Sequence, residues 1–323
     1  MKRHLRGLLA LLAALALVAA ACGSDGDSDS GSGSDTTGAG GGTELTLGAP
    51  ADCETNPFCI PGLQSVYDVD LSDGFVALDA GLIPDALDSG EIDIALLFST
   101  SGVIADKGWV VLEDDQQMLA ADNVIPVLTT ELADAYPDLE ATTDEISATL
   151  TTENLTELNK RFDIDREDAD AIATSFLEDN GLLEGDGDSP PDGPTITIGA
   201  QDFGESAILA QIYGQAFEAA GYPVAYQELG GFRDIEVPAF ENGDINFAPE
   251  YAASMLEFLN ESAGEATGDV DETVELLQGY LADIDLVAFA PTDAVDTNTF
   301  VVTQETSDSL GLTSLSDLQD VTG

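Results

Sequence analysis

The chain has 323 residues, 44% of them hydrophobic, and sets 63 Asp and Glu against 8 Lys and Arg, a formal charge of −55 at neutral pH. So large an acidic surplus repels phosphate backbones, which excludes nucleic acid as a partner. The acids are scattered among apolar residues, which reads as a solvated acidic shell over a foldable core rather than as a disordered acidic tail or a dedicated cation concentrator.

The N-terminus carries Lys2, Arg3 and Arg6, then an apolar stretch from Leu8 to Val18, then Ala19-Ala20-Ala21-Cys22. The apolar stretch has signal-peptide length and is too short for a membrane-spanning helix. The pattern resembles the bacterial lipobox. That implies a signal peptide over 1–21, lipid on Cys22, and an extracytoplasmic protein held to the cell membrane by that anchor alone. Without the signal, five basic residues face 63 acidic ones, a formal charge of −58. Residues 23–42 hold no apolar residue larger than Ala39, so 22–42 reads as the lipidated cysteine with a flexible tether. Cys53 and Cys59 are expected to form a local disulfide rather than part of a metal site. The single histidine, His4, leaves with the signal. No metal, cofactor or nucleophile–histidine set is therefore expected, and the protein is not read as an enzyme; nothing singles out a carboxylate pair among the 63 acids.

The remaining chain suffices for one large domain or two lobes. A linker over Glu184–Pro194 divides it, and the halves echo each other. Leu45-Thr-Leu-Gly48-Ala49 in the first matches Ile196-Thr-Ile-Gly199-Ala200 in the second: a short alternating strand that ends at Gly-Ala. Gly90-Glu-Ile-Asp-Ile-Ala95 matches Gly243-Asp-Ile-Asn-Phe-Ala248, each a glycine helix cap followed by a buried strand. Helical spacing predicts helices over 144–160, 165–180 and 206–220. Strands alternating with helices predict mostly parallel sheets with helices on both faces, and ligands at the carboxyl ends of strands. The loops to search are Pro50–Gly62, Phe98–Gly102, Gln201–Ser206 and Pro249–Ser254.

At these loops the chain resembles the substrate-binding proteins of osmoprotectant ABC importers, which take up glycine betaine, choline, carnitine or proline betaine. Ile196–Ile208, Leu229-Gly-Gly231 and Asn242–Tyr251 look like that family's first half. Leu45–Leu63, Phe98–Gly102, Val110–Asp115 and Leu150–Asn159 look like its second half. The order is reversed here, which points to a circular permutation joined through Glu184–Pro194; a fragment of a tandem gene is the rival. The implied fold is α/β, a two-lobed periplasmic-binding-protein-like (type II) fold, circularly permuted. One lobe would be 43–121 plus 292–323, the other 124–290, with crossings near Ala121–Val127 and Pro291–Phe300.

The resemblance implies an aromatic cage for a quaternary ammonium, held by cation–π contact. Tyr251 keeps the family's tyrosine. Phe300 and Phe98 stand where two more would be, and Asp122 replaces a fourth. Asn298 and Ser254 belong to the same loops. Gln201 and Asn56 stand where the family often has cations for a ligand carboxylate, and Arg233 is the one basic residue near a cleft loop. This favours choline, or another cation without a carboxylate, over betaine. The implied protein is a monomer that closes on its solute and docks on an ABC permease. The rival is a surface lipoprotein with a sensing or interaction role and another ligand.

Overall fold

The structure is a computed structural model that describes residues 45–183 and 193–322. Cys22, the tether, most of the 184–194 linker, and the residues Thr43 and Gly323 lie outside the described residues. No described helix is long and apolar enough to cross a membrane.

The short alternating segments form strands of two five-stranded sheets. In chain order they are β1 (Leu47–Ala49), β2 (Phe75–Ala77), β3 (Ile94–Phe98), β4 (Val110–Val111), β5 (Val124–Thr129), β6 (Ile196–Ala200), β7 (Val224–Glu228), β8 (Phe247–Tyr251), β9 (Leu286–Ala288) and β10 (Asn298–Val302). One sheet has the order β2-β1-β3-β10-β4 and the other β7-β6-β8-β5-β9. β1 pairs in parallel with β2 and β3, and β6 with β7 and β8. In each sheet the fourth strand is antiparallel and arrives from the other half of the chain: β10 enters the first sheet, β5 the second.

The sequence echoes have a shared physical cause. Gly90 and Gly243 both sit at φ 73°, capping helices Ile83–Ser89 and Arg233–Asn242, a conformation that favours glycine. Each cap aims the following isoleucine beneath a strand glycine. A Cβ on Gly48 would lie 2.3 Å from Ile92 Cδ1, and one on Gly199 would lie 2.7 Å from Ile245 Cδ1. The next polar residue then ties down the first strand. Asp93 accepts from Thr46 N–H at 2.9 Å, and Asn246 accepts from Thr197 N–H at 2.7 Å.

Helices cover both faces of each sheet. Around β5, β6 and β8 one core gathers Tyr213, Phe217 and Phe247 with helix Gly204–Ala219, and another packs Met255, Leu277 and Leu281 on the opposite face. Around β1, β3 and β10 a third core holds Leu47, Leu63, Phe300 and Leu318, with a smaller one around Ile83 and Val301. Cys53 and Cys59 form a disulfide inside the third core.

One helix departs from expectation. The segment 144–160 is not continuous: helix Leu139–Ser147 ends, and Thr152–Asp163 starts afresh. Thr151 is the reason. Its hydroxyl accepts from Asn154 N–H at 3.3 Å while Asn154 Oδ1 accepts from Thr151 N–H at 3.0 Å, a reciprocal cap that restarts the helix.

Two segments join the sheets, β4 to β5 and β9 to β10. They run side by side through an antiparallel bridge between Asn123 and Val295, with Asp296 N–H donating to Asp122 O at 3.0 Å. Helix Thr152–Asp163 makes a third junction. Thr156 Oγ1 donates to Ser99 O at 3.3 Å and Asn159 Nδ2 donates to Thr100 O at 2.9 Å. Gly102 packs against that helix, where a Cβ would lie 2.5 Å from Lys160 N.

Candidate functional site

The carboxyl ends of β3, β6 and β8, the two crossing segments and the start of helix Gly204–Ala219 converge on a cavity of about 490 Å³. Parallel strands that end together leave their loops facing one cleft, so this position follows from the topology.

Aromatic rings define one side. Phe203, after β6, stacks with Phe232 at 6.2 Å between centroids and 18° between planes. Phe203 also meets the Tyr251 ring at 6.1 Å. Phe98, at the end of β3 in the other sheet, lines the same cavity and is 60% exposed. Three rings of one lobe thus face one ring of the other.

Carboxylates define the rest. Asp122, Asp163, Glu205 and Asp296 line the cavity, against Arg233 as the one cation among the described lining residues. Asp122 accepts from Ser254 N–H at 2.8 Å and from its hydroxyl at 2.5 Å, yet burial pushes its carboxyl up to about 6. Asp296 accepts from Thr100 Oγ1 at 2.7 Å; burial and the neighbouring Glu205 charge push it up to about 7. Glu205 accepts from the Tyr251 hydroxyl at 2.6 Å and from Asn159 Nδ2, and burial raises it too. These groups are buried beside each other with little opposing charge, so each resists ionising.

Arg233 does not offset them freely. Glu250, fully buried, receives its Nε at 3.0 Å and Nη2 at 2.7 Å. Burial opposes the arginine's charge, but Glu250 holds it charged. Gln201 Nε2 donates to the other Glu250 oxygen at 2.7 Å. Behind them, burial and the Glu250 charge push the Glu236 carboxyl well above the usual carboxylate range.

Of the residues singled out in the sequence, Tyr251, Phe98, Gln201, Asp122, Ser254 and Arg233 come together at the cavity. Three do not. Phe300 is fully buried in the core with Val302, because alternation along β10 turns both toward the helix layer. Asn56 is half-buried in the Pro50–Gly62 loop, where it accepts from Phe58 N–H at 2.9 Å, and that loop contributes nothing to the lining. Asn298 opens β10 opposite Phe98 without reaching the cavity. Phe203, Phe232, Glu205, Asn159 and Asp296 were not singled out. Phe203 and Glu205 lie within the Gln201–Ser206 loop marked for search, and Phe232 precedes Arg233; their place in cleft loops was the available signal.

Residues 35–179 and 194–323 match the family described as the substrate binding domain of the ABC-type glycine betaine transport system. The carnitine transport binding protein OpuCC of Listeria monocytogenes is 29% identical over 122 residues, 38% of this chain and 39% of that protein. The glycine-betaine-binding protein of Pseudomonas aeruginosa is 31% identical over 107 residues, 33% and 34% of the two chains. The match thus spans well under half the length of either relative. Among solved structures, the L-cystine solute receptor of Neisseria gonorrhoeae in its unliganded open conformation aligns with TM-score 0.42 at 8% identity, over 85% of this chain and 86% of that one. With both halves matched, over most of its length, the chain belongs to the family of substrate binding domains of ABC-type glycine betaine transport systems.

Proposed function

We propose that the protein is the extracytoplasmic solute-binding subunit of an ABC importer, capturing a quaternary-ammonium compatible solute of the choline or glycine betaine type. One observation carries this reading: Phe203, Phe232 and Tyr251 of one lobe face Phe98 of the other across a cavity rich in carboxylates. A quaternary ammonium has no N–H to donate, and aromatic faces hold it at about 0.5–2 kcal/mol per good ring. Closure about the crossing segments would bring Phe98 onto the other three rings and bury the solute for delivery to the permease. Lipid on Cys22 would hold the subunit, working as a monomer, at the membrane.

We further propose that the halves stand in circularly permuted order. The reversed order of the motifs that resemble the family's two halves carries this, and the packing of Leu45, near the start of the described residues, in one core with Leu318, near their end, supports it.

Calorimetry with choline, glycine betaine, carnitine and ectoine tests the binding reading. We expect saturable heat from at least one; no heat from any of the four overturns it.

A further inference from the structure

At one edge of the cleft, acceptors outnumber donors. Asn159 Nδ2 donates to Glu205 Oε2 and, at 2.9 Å, to the Thr100 carbonyl. A carbonyl only accepts, so the Thr100 contact fixes the orientation of the amide whether or not Glu205 is ionised. Asn159 Oδ1 is then buried without a hydrogen-bond partner, on a residue 5% exposed that lines the cavity. Two carboxyls belong to the same hydrogen-bonded chain. Glu205 Oε1 accepts from the Tyr251 hydroxyl at 2.6 Å, and Asp296 Oδ1 accepts from the Thr100 hydroxyl at 2.7 Å. Each hydroxyl has one hydrogen to give, so neither can also serve Asn159 Oδ1.

The charges lean the same way. Arg233, the one cation among the described lining residues, is already matched by the fully buried Glu250. Asp122, Asp163, Glu205 and Asp296 then have no counter-charge within the lining, and one quaternary nitrogen balances only one of them. That nitrogen has no N–H, so it cannot satisfy Asn159 Oδ1 either. We propose that Asn159 Oδ1, Glu205 and Asp296 form a second subsite, for an ammonium group that carries N–H, so that the cleft takes solutes with two positive charges: a quaternary nitrogen among the rings and a protonated amine at this edge. The inference rests on the binding role proposed above and adds a subsite to it. An ammonium group makes stronger, charge-assisted hydrogen bonds to such acceptors than a neutral hydroxyl does.

The test compares three solutes of nearly equal shape: (3-aminopropyl)trimethylammonium, protonated at neutral pH, (3-hydroxypropyl)trimethylammonium and n-butyltrimethylammonium. Titration calorimetry on the full chain should show the amine binding at least about tenfold more tightly than either of the others. Asp296→Asn keeps the side chain's shape and removes its charge. It should cut the amine's advantage severalfold while leaving the butyl analogue's affinity within about twofold. In the unsubstituted protein, an amine that binds within about twofold of the hydroxyl analogue, or less tightly, overturns the inference and leaves the cage standing. An advantage that survives Asp296→Asn in full overturns the assignment of the subsite to these residues. Failure of all three solutes and of choline and glycine betaine to bind is a different result: it removes the binding role itself, and the subsite with it.

Discussion

Glu250 holds Arg233 through one oxygen, at 2.7 and 3.0 Å, and Gln201 through the other, at 2.7 Å. The same first oxygen accepts the Tyr251 amide at 2.8 Å. One fully buried carboxylate thus sets the position of three residues at the cleft wall. Arg233→Met should cost about 3–5 kcal/mol of unfolding free energy, because it strands a buried charge. Urea denaturation measures this, and adding Glu250→Gln should recover part of it. Cation affinity in Arg233→Met should stay level or rise; a fall above tenfold would mean that the guanidinium contacts the solute.

The raised carboxyls predict opposite pH trends for folding and binding. Asp122 and Asp296 are pushed up to about 6 and about 7 in the folded protein, above the ordinary aspartate value. Groups raised on folding stabilise fully below the unfolded value and lose that contribution as pH rises through the folded one. Ligand-free stability from these two groups should therefore decline between about pH 4 and pH 7. A bound cation favours their ionised forms, so its affinity should climb from pH 5 to pH 8, by up to tenfold per pH unit where one proton is released. Calorimetry in buffers of different ionisation enthalpy would register that proton, and an affinity that falls over this range contradicts the prediction.

Rings in the cleft and rings in the core should separate by readout. Phe232 is 56% exposed. Phe232→Ala should weaken solute binding by about 0.5–2 kcal/mol, with stability nearly unchanged. Phe300→Ala should do the reverse, costing about 3–5 kcal/mol of stability from its core position. Paired melts and titrations of both variants check this.

Gly102 tests the third junction between the lobes. A Cβ there would lie 2.5 Å from Lys160 N and 2.6 Å from its Cα, both backbone atoms that cannot turn aside. Gly102→Ala should cost about 1–3 kcal/mol and loosen the hold of helix Thr152–Asp163 on Ser99 and Thr100. Hydrogen exchange of the 99–104 amides should rise if so.

The fold was legible wherever chemistry repeated locally. Gly48 with Ile92 and Gly199 with Ile245 are one packing rule written twice, each between two short motifs that recur in both halves, and the two sheets follow from them. The site was half legible. Its loops were found, but matching ring to ring placed Phe300 in the cage when strand alternation turns it into the core. Phe203 and Phe232, in flanking turns, face the cavity instead. Gln201 was marked as a lining residue, but its pairing with Glu250, and that of Asn159 with Glu205, were not legible, because no repeated pattern in the sequence announces them and only the folded chain brings them together.

The exchange of β5 and β10 between the sheets makes the two lobes mutually dependent. A cut between the halves would give two fragments, each lacking the antiparallel strand its own sheet needs and carrying the one its partner lacks. Neither fragment could complete its fold alone, whereas mixed together they would have every strand required. The lobes can tilt on their crossings to take up a solute, yet they should unfold as one cooperative unit.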